Sequence, residues 1–406
     1  MTAVSTAAAE QGSALHLLAA QRAARTPDAV AMRAKKLGIW QQTSWADLDD
    51  ERRLIAHGLA DLGVGAGDRV AILAGNRPEW VYAELGALSV RALFVGLHPE
   101  TAGGALEQML NDAAVRVLIA EDQEQVDKAL DTGCPRLRWI VYLEDRGVRE
   151  YSDPRLLSYA ELRERGERQR TAHPELPAAE QSPDAVVALV FPPGGGPEDL
   201  APAHLRGTDV TAVLTALRAA VPDLGGNDVV LPGLSLAEPA ERAVTVWTSV
   251  ICGAVLHFAE SYDTLAVDLA EVQPTVRLAP AAGWQRIFSG IENRMSTASR
   301  FKRACYRLTS RTADRIAAQR DRGPFARLMF AAGYLASGRA LRDKLGLRKT
   351  RAAFWSIAIP GTALPHDIPP DPDTAAFFHG LGVPITRVPP ARTDASDPTA
   401  NPDTPA

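Results

Sequence analysis

The chain alternates between two kinds of hydrophobic pattern over most of its length. Short apolar runs, such as those at residues 69–74 and 115–120, are typical of buried strands. Between them lie stretches whose apolar positions recur every three or four residues, as expected for helices with one buried face. The regular alternation predicts a doubly wound, mostly parallel α/β sheet that helices cover on both sides.

The first part of this alternation, residues 14–170, is expected to form one α/β subdomain. An amphipathic helix over residues 14–25 leads into a strand pair. The next helix, Ser44 to Leu62, has an N-cap serine with Asp47 three residues later. The elements that follow are strands over residues 69–74, 92–97, 115–120 and 137–143, and helices over residues 77–90, 105–113, 123–130 and 158–169.

A Pro- and Glu-rich stretch, residues 171–184, is expected to be a linker to a second α/β subdomain over residues 185–387. Residues 1–13 and 388–406 are expected to be disordered. The second subdomain has predicted strands over residues 186–191, 228–232, 253–258, 275–279 and 352–359, and helices over residues 204–220, 239–251, 263–271, 283–297 and 373–381.

Residues 300–351 differ from the rest of the chain in charge. They hold 15 Lys or Arg against three Asp, a net charge of +12, whereas the whole chain has a net charge of −5. Interspersed aromatic and aliphatic residues suggest basic amphipathic helices. Such helices suit a solvated excursion from the subdomain, or contact with a membrane surface or an anionic ligand.

Composition adds constraints on location and partners. A length of 406 residues suggests two or three domains, and the net charge gives no reason to expect a nucleic-acid partner. Three widely separated cysteines indicate no disulfide framework, which favours a cytoplasmic protein. The longest uncharged run, residues 243–259, is short and polar for a membrane span, so we expect a buried helix that runs into a strand.

One stretch, residues 186–205, reads V-V-A-L-V-F-P-P-G-G-G-P-E-D-L-A-P-A-H-L. A strand that feeds a glycine turn is a common phosphate-binding design, because several backbone N–H groups can point at one anion. Such loops normally add a Lys and a Ser or Thr. Neither type occurs between Phe191 and His204, where Glu198 and Asp199 bring negative charge instead. The stretch therefore has the strand and glycine turn of a phosphate-binding site but lacks the Lys and the Ser or Thr that would bind the phosphate.

Three further segments carry a family resemblance: G-D-R-V-A-I-L-A-G-N-R-P-E-W-V-Y-A-E-L-G-A-L at residues 67–88, and the segments at residues 110–130 and 258–275. Together they resemble the AMP-binding, adenylate-forming enzymes, and within them the long-chain fatty acyl-CoA ligases. The resemblance covers roughly residues 14–387. It implies the N-terminal domain fold of these ligases, with two mostly parallel sheet subdomains, helices packed between them and no C-terminal lid domain.

Enzymes of this family form an acyl adenylate from a carboxylic acid and Mg-ATP, then transfer the acyl group to CoA. Their phosphate loop reads approximately Y-T-S-G-T-T-G-x-P-K-G, with a His shortly after it. The resemblance marks Phe191, Gly194, Gly195 and Gly196 as a vestigial nucleotide site in which the hydroxyl residues and the Lys are missing. His204 aligns with the His and is expected to begin a helix.

Two motifs lie near the acyl pocket in the family. The motif L-P-L-A-H-x-x-E corresponds to Leu231–Glu238, with Ser235 in place of the His and Glu238 at the end. The motif P-R-x-W-E-K-I corresponds to Pro280–Ile287, which keeps Trp284 but loses the Arg. By resemblance, Ser235, Glu238 and Trp284 therefore mark the acyl-pocket region.

The remaining nucleotide motifs are degraded. The adenine-side turn S-G-G-A-P survives in part as Gly361, Thr362 and Ala363. The motif E-G-Y-G-x-T-E, whose Thr contacts phosphate and whose Glu holds Mg, aligns with residues 387–393 and has neither residue. We therefore expect no catalytic residue, no metal ligand and no bound cofactor, although the family uses ATP, Mg and CoA.

Three functions stay open. The chain is expected to be a pseudoenzyme that retains a binding or regulatory role, toward a fatty acyl group or an active ligase partner. A second reading is an active ligase with unusual residues, or one completed in trans by a separate lid protein. A third is a peripheral membrane or interaction module built on residues 300–351.

Overall fold

The computed structural model describes residues 15–175, 182–191, 201–297, 338–360, 362 and 368–389. In this part of the chain the fold is mixed α/β, with mostly parallel sheets and helices packed against them. This confirms the predicted fold class. The predicted N-terminal disorder, the centre of the predicted linker and most of the basic segment lie outside the described residues.

The helices follow the predicted periodicity, and the N-cap of α2 is confirmed. The Ser44 hydroxyl accepts from the Asp47 backbone N–H at 3.1 Å, and the Asp47 carboxylate accepts from the Ser44 N–H at 3.1 Å. The helices are α1 Leu15–Arg25, α2 Trp45–Asp61, α3 Pro78–Ser89, α4 Gly103–Asp112, α5 Gln123–Leu130, α6 Tyr159–Ala172, α7 Gly207–Ala220, α8 Pro239–Arg242, α9 Thr248–Cys252, α10 Leu265–Val272, α11 Ala281–Ser296, α12 Arg339–Lys344 and α13 Pro372–Gly380.

The described strands form three sheets. The first has the order β7-β6-β5-β3-β4-β8-β9, the second β10-β11-β1-β2 and the third β12-β13-β14; only the β8–β9 and β1–β2 pairs are antiparallel. The strands are β1 Val30–Lys36, β2 Ile39–Ser44, β3 Arg69–Leu73, β4 Leu93–Leu97, β5 Val117–Ala120, β6 Trp139–Tyr142, β7 Leu156–Ser158, β8 Val186–Val190, β9 Ala203–Arg206, β10 Val229–Val230, β11 Val255–Phe258, β12 Val276–Leu278, β13 Ala352–Ile357 and β14 Ile385–Val388.

Two sheets combine strands from both sides of the predicted 171–184 linker. Strand β8, which leads into the glycine-rich loop, pairs with β4 of the first sheet. Strand β1 from the start of the chain pairs in parallel with β11 of the second sheet. The sheets are therefore not divided at the linker as the chain order suggests.

Three short strands were not predicted, and one of them corrects a helix boundary. Residues 203–206 form β9 antiparallel to β8, so α7 begins at Gly207 and the prediction that His204 starts a helix is wrong. The burial of β9 alternates, with only Leu205 fully buried, as expected for a strand at a sheet edge. Strand β14 ends at Val388, which is buried although the disordered tail was expected to begin there.

The long uncharged run at residues 243–259 lies in the protein interior, as predicted. Residues Ala243–Trp247 form a π-helical turn between α8 and α9, and the chain then enters β11. The Thr248 hydroxyl donates to the Ala243 carbonyl at 2.8 Å, which bonds the residue after the π-helical turn to its first residue. Within the described ranges, no helix is both long and apolar enough to cross a bilayer.

Two buried histidines make the stability of the fold sensitive to acid. Burial lowers the pKa of His16 and of His257 to about 4. In the unfolded chain the pKa of a histidine is about 6.5. As the pH falls below this value, the unfolded chain binds protons that the folded chain does not bind, so the free energy of unfolding decreases between about pH 6.5 and 4. From these shifts, each histidine is expected to cost about 2 kcal/mol between pH 7 and pH 5.

The test compares urea unfolding at pH 7 and pH 5 for the wild type and for His16→Gln. The pKa of Glu241 is raised to about 8 and acts in the opposite sense, so the wild-type difference alone is not diagnostic. The Gln variant should lose less stability than the wild type over this interval. An equal loss in both chains would show that His16 titrates normally.

Candidate functional site

The turn Leu231–Glu238, hereafter the central turn, lies where parallel strands of all three sheets end. It directly follows β10 of the second sheet. A Cβ atom at Gly96 of β4 would lie 3.3 Å from the turn, and one at Gly233 would lie 3.4 Å from the Leu278 carbonyl of β12. Ligands of α/β proteins bind outside the carboxyl ends of parallel strands. The central turn is therefore the candidate functional site.

Side chains from two other segments hold the central turn. Asn76, just after β3, donates from Nδ2 to the Leu234 carbonyl at 2.7 Å and accepts at Oδ1 from the Leu236 N–H at 2.9 Å. Glu241 of α8 accepts at Oε2 from the Leu234 N–H at 3.1 Å. Both backbone groups of Leu234 are thus bonded to side chains, which fixes the shape of the turn.

Burial dominates the electrostatics below the central turn. It raises the pKa of Glu241 to about 8, although backbone N–H groups of Leu234 and Gly233 and the charge of Arg277 oppose the shift. Burial also lowers the pKa of Arg277 to about 10. Arg277 donates from Nη1 to the Leu345 carbonyl at 3.1 Å. At neutral pH the Glu241 carboxyl is therefore mostly protonated.

The residues predicted for the acyl-pocket region lie in two places. Ser235 is in the central turn, where its hydroxyl accepts from the Ala237 N–H at 3.2 Å and its carbonyl from the Glu238 N–H at 3.0 Å. Trp284 of α11 is fully buried against the third sheet and donates from Nε1 to the Phe354 carbonyl at 3.0 Å. Ser235 and Glu238 therefore shape the turn, whereas Trp284 packs behind β12 and β13.

Arg277 links these two places. Its guanidinium carbon lies 5.2 Å from the ring centroid of Trp284, and its charge acts on Glu241. The ring of Phe378 packs edge-on against Trp284 with centroids 4.9 Å apart. Arg277 thus interacts with Trp284 in the core of the third sheet and, through its charge, with Glu241 below the central turn.

The predicted vestigial nucleotide site is described only at its edges. Phe191 is buried at the end of β8, beside β4. Thr362 follows β13 and donates its hydroxyl to the Ile359 carbonyl at 3.0 Å. The other predicted members of this site lie outside the described residues: Gly194, Gly195, Gly196, Gly361 and Ala363.

A charged cluster covers the carboxyl ends of β5 and β6. Arg77 lies 2.8 Å from Glu79, 3.1 Å from Glu121 and 3.2 Å from Glu144, measured between nitrogen and oxygen atoms. Glu121 also accepts from the Gly75 N–H at 2.6 Å. In the part of the chain that the structure describes, His, Cys, Asp and Glu form no group of three suited to a metal ion. This cluster is therefore a network of ion pairs.

Sequence reasoning did not single out Asn76, Glu241 or Arg277. Asn76 had the best signal, since it is a polar residue directly after an apolar strand. Glu241 lies on a helix whose apolar pattern gives no hint of a buried acid. Arg277 interrupts a three-residue strand between Val276 and Leu278.

The fold is shared with solved adenylate-forming proteins. The A-PCP didomain of the carboxylic acid reductase from Segniliparus rugosus, in complex with AMP, superimposes with a TM-score of 0.68 at 18% identity and covers 94% of this chain and 54% of that chain. The inhibitor-bound N-terminal domain of FACL13 from Mycobacterium tuberculosis gives a TM-score of 0.60 at 15% identity, covering 92% and 74%. At these identities the likeness shows the fold alone.

Curated relatives share more sequence. Long-chain-fatty-acid–CoA ligase ACSBG1 from Bos taurus is 26% identical over 368 residues, which is 88% of this chain and 48% of that protein. Long-chain-fatty-acid–CoA ligase ACSBG2 from Xenopus laevis is 24% identical over 282 residues, 67% and 38%. The chain spans about half or less of the length of these relatives. The profile of the AMP-binding enzymes matches residues 19–348. This chain therefore belongs to the AMP-binding enzyme family.

Proposed function

We propose that this protein binds a fatty acyl ligand on a ligase-like scaffold without converting it to an acyl adenylate. One observation carries the proposal: the loop between Phe191 and His204 contains no Ser, Thr, Lys or Arg. The loop instead has Glu198 and Asp199. Its composition removes the groups that a nucleotide phosphate needs, while the scaffold around it is retained.

The charge of the loop opposes binding of a triphosphate. A phosphate site gains its affinity from N–H groups, hydroxyls and cations that converge on the anion. At a separation of 4 Å, two like charges repel by about 4 kcal/mol at the effective dielectric of a protein surface. Two carboxylates in place of a lysine therefore change the sign of the electrostatic interaction with ATP.

Glu241 also does not fit the magnesium ion that accompanies ATP in this family. Magnesium prefers ionised carboxylates and water in octahedral geometry. Glu241, the buried acid nearest the central turn, accepts from the Leu234 N–H, and burial raises its pKa to about 8. A mostly protonated, amide-bonded carboxyl is a poor ligand for magnesium, so no chemical step is assigned to this ion.

The features that support acyl binding are the apolar surroundings of the central turn. Leu231 and Leu236 are buried within it, and Trp80 packs below it against Gly96. The similarity to long-chain fatty acyl-CoA ligases extends over most of the chain. An apolar chain gains about 0.8 kcal/mol for each methylene group that it buries. A fatty acyl group can therefore bind without any phosphate contact.

Two binding measurements on the purified chain test the proposal. Titration with cis-parinaric acid, a fluorescent long-chain fatty acid, should show saturable binding. Equilibrium dialysis with millimolar Mg-ATP should show no retained nucleotide, with a complete long-chain ligase as the positive control. Retained ATP would favour the active or trans-completed ligase instead. Absence of cis-parinaric acid binding would overturn the acyl-binding role.

A further inference from the structure

Side chains outside the central turn bond three of its backbone groups. Asn76 is 158 residues before Leu234 in the chain, yet its amide bonds both the Leu234 carbonyl and the Leu236 N–H. Glu241 approaches from the opposite end and bonds the Leu234 N–H. Three backbone groups of two residues, Leu234 and Leu236, thus depend on two side chains.

Among these backbone groups, the Leu236 N–H has the fewest alternative partners. Leu236 is fully buried and Glu241 is 1% exposed, whereas Leu234 is half-buried. A backbone N–H that loses its acceptor in such a place cannot turn to water without movement of the chain. Loss of the Asn76 acceptor therefore requires the central turn to change shape, whereas loss of the Glu241 acceptor leaves the N–H of the half-buried Leu234 without its side-chain partner.

The surroundings of Glu241 keep its carboxyl group mostly uncharged. Arg277 of β12 and Glu238 of the turn are the charged groups that act on it, and Arg242 beside it pairs with Glu84 of α3. Burial keeps the Glu241 carboxyl mostly protonated at pH 7. A neutral hydrogen-bond acceptor beneath the turn suits an apolar ligand better than an exposed charge does.

We propose that Asn76 and Glu241 are positioning residues, which hold the central turn in the shape that receives a fatty acyl chain. The ligand class rests on the proposed function, whereas the positioning role rests on the three hydrogen bonds. Neither residue needs to touch the ligand. Both act through the backbone of the turn that lies at the ends of strands from three sheets.

Matched variants separate positioning from general stability. Asn76→Ala removes both bonds of the amide, and Asn76→Asp keeps only the acceptor for the Leu236 N–H. Glu241→Leu removes the acceptor for the Leu234 N–H, and Glu241→Gln keeps it in a neutral side chain like the protonated acid. Asn111→Ala is the control, since this asparagine bonds the Gly133 carbonyl at 3.4 Å on an exposed surface.

Two readouts are measured on each variant, at a temperature where near-ultraviolet circular dichroism shows a folded chain. Hydrogen exchange should accelerate at the Leu236 amide in Asn76→Ala and at the Leu234 amide in Glu241→Leu. The Kd for cis-parinaric acid should rise about ten-fold or more in both variants. Glu241→Gln and Asn111→Ala should stay within about two-fold of the wild type.

The outcomes distinguish this inference from the function on which it rests. If the wild type fails to bind cis-parinaric acid, the proposed acyl ligand is wrong, and hydrogen exchange still reports on the positioning role. If the wild type binds and Asn76→Ala and Glu241→Leu match it in Kd and in exchange, the positioning role is wrong. Equal loss of affinity in Glu241→Gln and Glu241→Leu would also overturn it, because the acceptor would then not matter.

Discussion

Fatty-acid-dependent exchange between ATP and pyrophosphate should be absent from the purified chain. Removal of one preorganised donor to a developing negative charge costs about 10²–10³ in rate. This loop lacks the lysine and all hydroxyls between Phe191 and His204. Even with strong non-additivity, exchange should fall on the order of 10⁴-fold or more below that of a complete long-chain ligase.

A charge-neutral loop variant shows which part of the loss is electrostatic. Glu198→Gln combined with Asp199→Asn removes the two carboxylates but restores neither the lysine nor a hydroxyl. This variant should retain more ATP in equilibrium dialysis than the wild type and still show no exchange. Exchange above background in the wild type would contradict the proposed loss of adenylation, and the search would turn to a separate lid protein.

The periodicity of the chain was enough to predict most helices and the long strands. The N-cap at Ser44 and the buried run at residues 243–259 are local features, and both were predicted correctly. Strands β7, β9 and β14 have only three or four residues. Alternation over so few positions is hard to separate from a loop, so they were missed.

The hydrophobic pattern of the chain did not predict which strands pair with each other. The pairing of β1 with β11 joins residues more than two hundred positions apart, across the predicted linker. A hydrophobic pattern states which face of a strand is buried but not which strand lies beside it. For the same reason the family resemblance marked Ser235 but did not mark Asn76, whose bond to the Leu234 carbonyl spans 158 residues.

The buried ion pair between Glu84 of α3 and Arg242 of α8 is the position where one substitution should destabilise the fold most. Arg242 Nη1 lies 3.3 Å from Glu84 Oε1, and Trp247 Nε1 donates to the same oxygen at 3.2 Å. Burial raises the pKa of Glu84 because the loss of hydration outweighs both contacts. The guanidinium also lies 5.6 Å from the ring centroid of Phe94. The pair is thus costly to bury, and each charge depends on the other.

Glu84→Leu should therefore lower the free energy of unfolding by about 3–5 kcal/mol, because it leaves the charge of Arg242 buried without a partner. The double variant Glu84→Leu with Arg242→Leu removes both charges and should be more stable than Glu84→Leu alone. Urea unfolding of the wild type, both single variants and the double variant measures the coupling directly. A double variant that loses the sum of the single effects would show that the two charges do not interact. Stability recovered in the double variant would show that the cost comes from the unpaired charge and not from lost packing.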